Sequence, residues 1–343
     1  MQPLALERDA AFSQWLATEC GIEGGRLGQV LAGGNSNVTR RVETPSGPLV
    51  LRHPPVDVIS DKAAAGISRE FTALKALHGS APVPRPVAWC DDRSILGQPF
   101  ALTEWIDGVA LTTELPAEYP AGAVSIDQLG REMIAALAAV HRMAWEGKVP
   151  EGFGRPSGFV ERQIDRWLDI RRNRQVRDLP LIGQLGEWLR DNAPASGRAS
   201  IIHCDFHLDN CLMDRGEPRL KAILDWEMAT IGDPLVDLGL CLFFWKRDGR
   251  GAIGFPFVQG LSNDPAAIER RELADLWSEL SGIDHGDLSY FMVFSAWRLA
   301  AIVEGAFVLY REGKVDSDYA RNLERDVPNL LWEAAALIDR GGV

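Results

Sequence analysis

No C-x-x-C pair occurs in this chain, and its five cysteines, Cys20, Cys90, Cys204, Cys211 and Cys241, are odd in number and widely spaced. That pattern fits reduced thiols in a reducing compartment better than a disulfide framework, and no bridges are expected. A basic run is also missing: 36 Lys and Arg stand against 48 Asp and Glu, a formal charge of -12. A surface of that sign does not track a phosphate backbone, so nucleic acid is not an expected partner. No stretch of eighteen apolar residues is found. The first residues, MQPLALERDAAFSQWLATEC, carry charges every few positions instead of the basic, apolar, small-residue order of a secretory signal. A cytoplasmic protein with no membrane partner is expected. Internal repeats and low-complexity segments are absent as well, and nothing in the composition argues against a homodimer.

What is present is enough apolar material for two cores, 46% of 343 residues. Residues 6–20 have a helical apolar pattern that Gly21, Gly24, Gly25 and Gly28 interrupt. QVLAGGNSNVTRRVET then reads as strand, turn, strand, and SGPLVLRHPP as a third strand stopped by Pro54 and Pro55. ISREFTALKALHG follows as a helix with Phe71, Leu74 and Leu77 on one face, and PRPVAWCDD and PFALTEWIDG supply two more strands. Beyond Asp107-Gly108 the pattern is mostly helical, as in IDQLGREMIAALAAVHRMAW and LSYFMVFSAWRLAAIVEGAFVLYREG. The expected organisation is α+β: a small N-terminal antiparallel-sheet lobe over residues 1–107 and a larger, mainly helical lobe over residues 108–343.

The polar stretch in IIHCDFHLDNCLM lies between two apolar runs that read as strands, Ile201-Ile202 and Cys211-Leu212-Met213. A tight loop at the edge of a core is expected there, and two chemistries could use it. Read as H-x-D-x-x-x-x-N, His203, Asp205 and Asn210 have the spacing of a kinase catalytic loop, with Asp205 as base and Asn210 as Mg²⁺ ligand. Fifteen residues further on, AILDWEMA brings Asp225 from the end of an apolar strand as a second hard oxygen ligand. The rival reading is a zinc site on His203, Cys204 and His207, for which a fourth ligand at a usual spacing is missing.

Two further features bear on the choice. Gly33, Gly34, Asn35, Ser36 and Asn37 form a turn whose backbone N–H groups could approach a phosphate, although any hairpin turn prefers the same residues. Arg52 ends the strand LVLR eighteen residues after Gly34, and Glu70 stands on the next helix after another eighteen. A helix carboxylate in that position could hold the cation against nucleotide phosphates. Taken singly, each is what a strand end and a solvated helix face also carry.

In order, LAGGNSN, LVLR, ISREF, FALTEWIDG, IIHCDFHLDN and AILDWEMATIGDPLVDLG resemble the aminoglycoside phosphotransferase and choline kinase-like family, whose fold is that of the protein kinases, over about residues 28–310. LRHPP, RPSGFVERQIDRW and FMVFSAWRLAAIVEG resemble, within it, the subgroup related to kinase-like domains fused to acyl-CoA dehydrogenases. The resemblance implies a two-lobe fold with ATP between the lobes. Adenine would lie against Glu104, Trp105 and Ile106, and the phosphates against the Gly33-Gly34 turn. It gives Asp205, Asn210 and Asp225 the roles stated above, makes Asp233 and Asp237 braces of the following helix, and leaves Glu227 either beside the metal or on the loop backbone. Arg52 stands where the family usually has lysine, as it does in the subgroup; Lys62, on a loop, is an alternative cation.

An ATP- and Mg²⁺-dependent small-molecule kinase is therefore expected. Arg162, Arg166 and Arg298, beside Trp167, Trp297 and Phe294, point to an anionic hydroxyl acceptor with an apolar body, such as a hydroxyacyl-CoA thioester, with His207 and Glu227 as further acceptor residues. An aminoglycoside- or choline-type kinase and a nucleotide-binding pseudokinase are the alternatives. The same arginines could instead brace helices through ion pairs.

Overall fold

The computed structural model describes residues 6–31, 37–55, 61–120, 122–195, 197–246, 260–265 and 267–339. In chain order its first elements are α1 (Leu6–Cys20), β1 (Arg26–Val30), β2 (Val38–Glu43), β3 (Leu49–His53), α2 (Asp61–Leu77), β4 (Pro86–Cys90), α3 (Arg93–Leu96), β5 (Phe100–Glu104), β6 (Val109–Ala110) and α4 (Ala123–His141). There follow α5 (Phe159–Asn173), α6 (Pro180–Asp191), β7 (Ser200–Ile202), β8 (Cys211–Met213), β9 (Leu220–Ile223), β10 (Thr230–Gly232), α7 (Leu235–Phe244), α8 (Arg270–Ser281), α9 (Leu288–Arg311) and α10 (Asp318–Asp339). The chain divides into two compact units. Unit 1 is Met1–Asp107, Trp145–Pro150 and Lys221–Ala229; unit 2 is Gly108–Ala144, Glu151–Leu220 and Thr230–Val343.

Unit 1 is built on an antiparallel sheet in the order β1-β2-β3-β5-β4. Its core joins Phe12 and Leu16 of α1 to Val42, Leu49, Leu51, Phe100 and Leu102 of the sheet. Trp15 meets the edge of Phe100 at 4.7 Å between ring centroids. Because side chains alternate along a strand, burying Leu49 and Leu51 puts Arg52 on the opposite face of β3. The five strands are those expected; α2 begins at Asp61, so position 62 is helical and not on a loop.

The segment Lys221–Ala229 belongs to unit 1, whereas the sequence reading puts it in the second lobe. The reason is local: Ile223 N–H donates to the Pro82 carbonyl at 2.8 Å, Arg69 reaches the Ala229 carbonyl at 2.9 Å, and Trp226 is fully buried. These bonds bring Asp225 to the same unit as Arg52.

Unit 2 is mainly helical. The strands expected on either side of the polar loop are β7 and β8; β7 pairs with β10 and β8 with β6, both antiparallel. The interior is organised around α9, whose Phe291, Phe294, Trp297 and Phe307 are buried. Helix α7 crosses α9 so closely that a Cβ on Gly239 would fall 2.7 Å from the Phe291 backbone, which leaves glycine as the residue that fits. Among the described residues α9 is also the one helix long and apolar enough to cross a membrane; 72% of its most apolar window is buried within the protein.

Candidate active site

In unit 1, strand β3, helix α2 and the segment after β9 converge on one guanidinium. Arg52 Nη1 donates to Glu70 Oε1 at 2.6 Å and Nη2 to Asp225 Oδ1 at 3.1 Å, with Glu227 Oε2 4.0 Å from Nη2. Glu227 also accepts from Asn37 Nδ2 at 2.6 Å. Three carboxylates thus surround one cation, and their exposure is graded: the Glu70 side chain is 8% exposed and that of Asp225 36%. Asp225 has a left-handed backbone, φ 65°, uncommon for a residue with a side chain. That conformation turns it out of β9 toward Arg52. Gly33, Gly34, Asn35 and Ser36 lie outside the described residues.

Burial lowers the Arg52 pKa, but Glu70, Asp225 and Glu227 outweigh it and hold the guanidinium above its ordinary value. Glu70 moves the other way from a simple ion-pair partner. Its burial, with Asp225 and Glu227 nearby, overrides the attraction of Arg52 and raises its carboxyl to about 7. The folded protein therefore keeps a proton that the unfolded chain, with a Glu pKa of 4.5, gives up. The Glu70 contribution to stability is therefore complete below about pH 4.5 and is lost as pH rises through about 7. In metal-free buffer the melting temperature of wild type should fall more steeply across that window than that of Glu70→Gln. Equal slopes in thermal unfolding would show that Glu70 titrates as an ordinary carboxylate.

In unit 2 the polar loop leaves β7, and a buried carboxylate pins its start. Asp237, inside α7, accepts the backbone N–H of His203 at 2.6 Å and that of Cys204 at 2.7 Å. Cys204 has φ 68°, and its carbonyl accepts from Arg298 Nη1 of α9 at 2.9 Å. His203, fully buried, accepts the Asp205 N–H on Nδ1 at 3.2 Å. Asp205 then projects with 43% of its side chain exposed, its Oδ1 3.5 Å from His207 Nε2. Burial alone would raise its carboxyl; the bond to His207 and the charges of His207, His203 and Arg298 pull it down to about 2. The group is an ionised acceptor at neutral pH.

Asn210 closes the loop. Its Nδ2 donates to the Asp205 carbonyl at 2.8 Å and lies 3.2 Å from Asp205 Oδ2. A carbonyl accepts only from the nitrogen end of the amide, so Oδ1 faces away and is available to a cation. On the unit 1 side, Asp225 spends one carboxylate oxygen on Arg52, and the surplus of negative charge there favours a divalent cation. Each of these side chains, taken in its own unit, offers a hard oxygen of the kind Mg²⁺ accepts. No group of three or more His, Cys, Asp or Glu able to hold a metal occurs among the described residues, which removes the zinc reading.

Other expected positions fall elsewhere. Arg298, expected beside an acceptor, is 6% exposed and lies under the loop; Trp297 and Phe294 are fully buried. Trp297 donates through Nε1 to the Ile182 carbonyl at 2.8 Å. The cause is the central place of α9 in unit 2: its aromatic residues are core and its arginine serves the inward-turned Cys204 carbonyl. Arg162 folds back onto the Ser157 and Arg155 carbonyls before α5, and exposed Arg166 lies 5.2 Å from the Trp167 ring. Glu104 accepts the Arg85 N–H at 2.7 Å, Trp105 lies under the Arg41 guanidinium at 4.8 Å, and Ile106 is half-buried.

The sequence gives no role to His141 and Trp277, which complete the support of the loop. Trp277 Nε1 donates to His141 Nδ1 at 3.1 Å, so His141 carries its proton on Nε2 and offers it to Asp237 Oδ2 at 3.2 Å. A lone histidine ending the apolar run AALAAVH is the one trace of this chain in the sequence. Asp233 does brace its helix, accepting the Leu235 N–H at 2.9 Å, and also pairs with Arg198 at 3.0 Å; Asp237 braces the loop.

The model of the phosphotransferase enzyme family matches residues 28–276. Acyl-CoA dehydrogenase family member 11 of Homo sapiens is 31% identical over 83% of this chain and 36% of its own length. The chain spans between 28% and 40% of the length of such acyl-CoA dehydrogenase family relatives. Among solved structures, a candidate aminoglycoside phosphotransferase of Ralstonia eutropha aligns with TM-score 0.79 at 27% identity, covering 95% of this chain and 98% of that one. An aminoglycoside phosphotransferase solved with AMP-PNP and hygromycin B has the same fold, with TM-score 0.59 at 16% identity over 96% and 98% of the two chains.

Proposed function

Because the chain belongs to the phosphotransferase enzyme family, with the kinase-like fold of its solved relatives, we propose that it transfers the γ-phosphate of ATP to a hydroxyl of a small metabolite with the help of Mg²⁺. The observation that carries this reading is the loop at residues 203–210. Four groups, Asp237, Arg298, His203 and Asn210, are spent on holding one ionised carboxylate, Asp205, at the surface. Phosphoryl transfer asks the protein mainly for position and charge, and a fixed carboxylate that orients a hydroxyl and takes its proton meets that demand.

The other assignments are these. Arg52, set by Glu70, contacts the nucleotide phosphates; Asp225 and Asn210 are the Mg²⁺ ligands; Glu104, Trp105 and Ile106 face adenine. Bound Mg²⁺ supplies charge neutralisation for the phosphate oxygens. Asn37 and Glu227, bonded to each other, position the segment that carries Asp225.

For the acceptor we favour a hydroxyacyl-CoA thioester, supported by the likeness to acyl-CoA dehydrogenase family members. Arg162 and Arg166 remain the basic candidates on its side; Arg298 does not. The test is ADP release with Mg-ATP over hydroxyacyl-CoA thioesters, choline-like amines, aminoglycosides, amino alcohols and sugars. Turnover should be highest, by about tenfold or more in kcat/KM, with an anionic thioester. An aminoglycoside turned over faster than every anionic acceptor would reject this acceptor and leave the phosphotransferase reading in place.

A further inference from the structure

Residues that face each other across an antiparallel strand pair lie on the same side of the sheet. The β2–β3 register sets Thr39 opposite Arg52 and Arg41 opposite Val50, and the β3–β5 register sets Arg52 opposite Ala101 and Val50 opposite Thr103. These six residues therefore share one face of unit 1. The reverse face carries Val42, Leu49, Leu51 and Leu102 and is closed by α1. Helix α2 covers part of the first face, with Glu70 on Arg52 and the Phe71 ring 6.2 Å from that of Trp89, while Arg41, Val50 and Thr103 stay half-buried.

Arg41 is the second arginine on this face, and it is held differently from the first. Arg52 has a carboxylate on each Nη group. Arg41 instead gives its Nε to Glu43 Oε1 at 2.7 Å and sets its guanidinium over the Trp105 ring at 4.8 Å, and neither of its Nη groups has a hydrogen-bond acceptor among the described residues. An exposed pair of this kind contributes little to stability; carboxylate and indole together do hold the guanidinium in one place. The face is also ordered along its strands. Arg52, Thr39 and Ala101 form one row, and Arg41, Val50 and Thr103 form the next, roughly 7 Å further toward Trp105.

We infer that Arg41 is a nucleotide-binding residue, whose two Nη groups donate to the nucleoside half of the nucleotide, at ribose hydroxyl oxygens or ring nitrogens, while Arg52 holds the phosphates. Glu43 is its positioning residue. The inference rests on the phosphotransferase reading, which puts the phosphates at Arg52 and the base at Glu104, Trp105 and Ile106; a nucleotide laid between those points runs along the row of Arg41 and Val50. There Val50 offers apolar surface and Arg41 the donors. A lysine at position 41 would keep the charge but not the planar fork or its stacking on the indole.

The experiment is calorimetric titration of the full chain, without acceptor, with Mg-ATP and separately with magnesium tripolyphosphate, alongside saturation-transfer NMR with adenosine. Arg41→Ala should weaken Mg-ATP binding by about tenfold or more, as loss of a charge-assisted bond does, and weaken the adenosine signal, while tripolyphosphate affinity changes by less than about twofold. Arg52→Ala should do the reverse, losing tripolyphosphate and keeping adenosine. Arg41→Lys should not restore wild-type affinity, and Glu43→Gln, which keeps Arg41 but loosens its Nε, should weaken Mg-ATP by less than Arg41→Ala does. Without nucleotide, Arg41→Ala should melt within about 2 °C of wild type, because the pair it breaks is exposed, so the loss of binding is not a loss of fold. Equal Mg-ATP affinity in wild type and Arg41→Ala, no adenosine signal in wild type, or an equal loss of tripolyphosphate in Arg41→Ala would each overturn the role of Arg41 alone. Failure of wild type to bind Mg-ATP at all would overturn the phosphotransferase reading beneath it.

Discussion

Asp205→Asn is expected to lower kcat by about 10²–10⁴-fold, the range of a lost general base, while the dissociation constant of Mg-ATP changes by less than about twofold. The substitution keeps the size of the side chain and removes the capacity to take a proton. The loop should survive it, because its anchors are main-chain groups: the His203 and Cys204 N–H on Asp237, the Cys204 carbonyl on Arg298 and the Asp205 carbonyl on Asn210. With the carboxyl held at about 2, wild-type Asp205 is ionised throughout the neutral range, so protonation of Asp205 should set no acid limb of the rate profile there. Steady-state kinetics with the best acceptor and calorimetry with Mg-ATP check the two halves. Unchanged turnover would show that another group orients the hydroxyl.

Asp237→Ala is expected to be the most destabilising single change at the site. It strands the N–H groups of His203 and Cys204 and the Nε2–H of His141 in a fully buried position. Leaving a buried hydrogen-bonded charge network without its centre costs about 3–5 kcal/mol, a large part of the stability of an ordinary domain. For a unit of this size that is a fall in Tm of roughly 6–20 °C, with activity lost even below the transition because Cys204 is no longer held in its left-handed conformation. Differential scanning calorimetry decides it. Asp233→Asn, which weakens a helix brace and a partly exposed pair with Arg198, should cost less. If Asp237→Ala melted within about 2 °C of wild type, the loop would be held by other contacts.

The parts legible in the sequence are those with a local signal. The five strands of unit 1 announce themselves by β-branched runs between Gly and Pro, and the polar loop by its place between Ile201-Ile202 and Cys211-Leu212-Met213. Likewise, Arg52 and Glu70 were paired from their order on a strand and the following helix. The parts that were not legible depend on long-range packing. Nothing near Lys221–Ala229 says that its backbone bonds to Pro82 and Arg69 and so joins unit 1. Arg298, in FMVFSAWRLAA, has the composition of an aromatic binding wall and of a core helix alike, and only the turn of the Cys204 carbonyl decides for the core. For the same reason Asp237 reads as a helix brace until the loop is seen to bond to it, and His141 and Trp277 go unnoticed, being joined across 136 residues.

The most direct test of the central claim is ³¹P NMR of the wild-type protein with Mg-ATP and the acceptor that releases most ADP. A new phosphomonoester resonance should grow in step with ADP, be absent without Mg²⁺, and grow about 10²–10⁴-fold more slowly with Asp205→Asn. ADP accompanied by orthophosphate alone, for every acceptor, or a phosphomonoester formed equally well by Asp205→Asn, would contradict it.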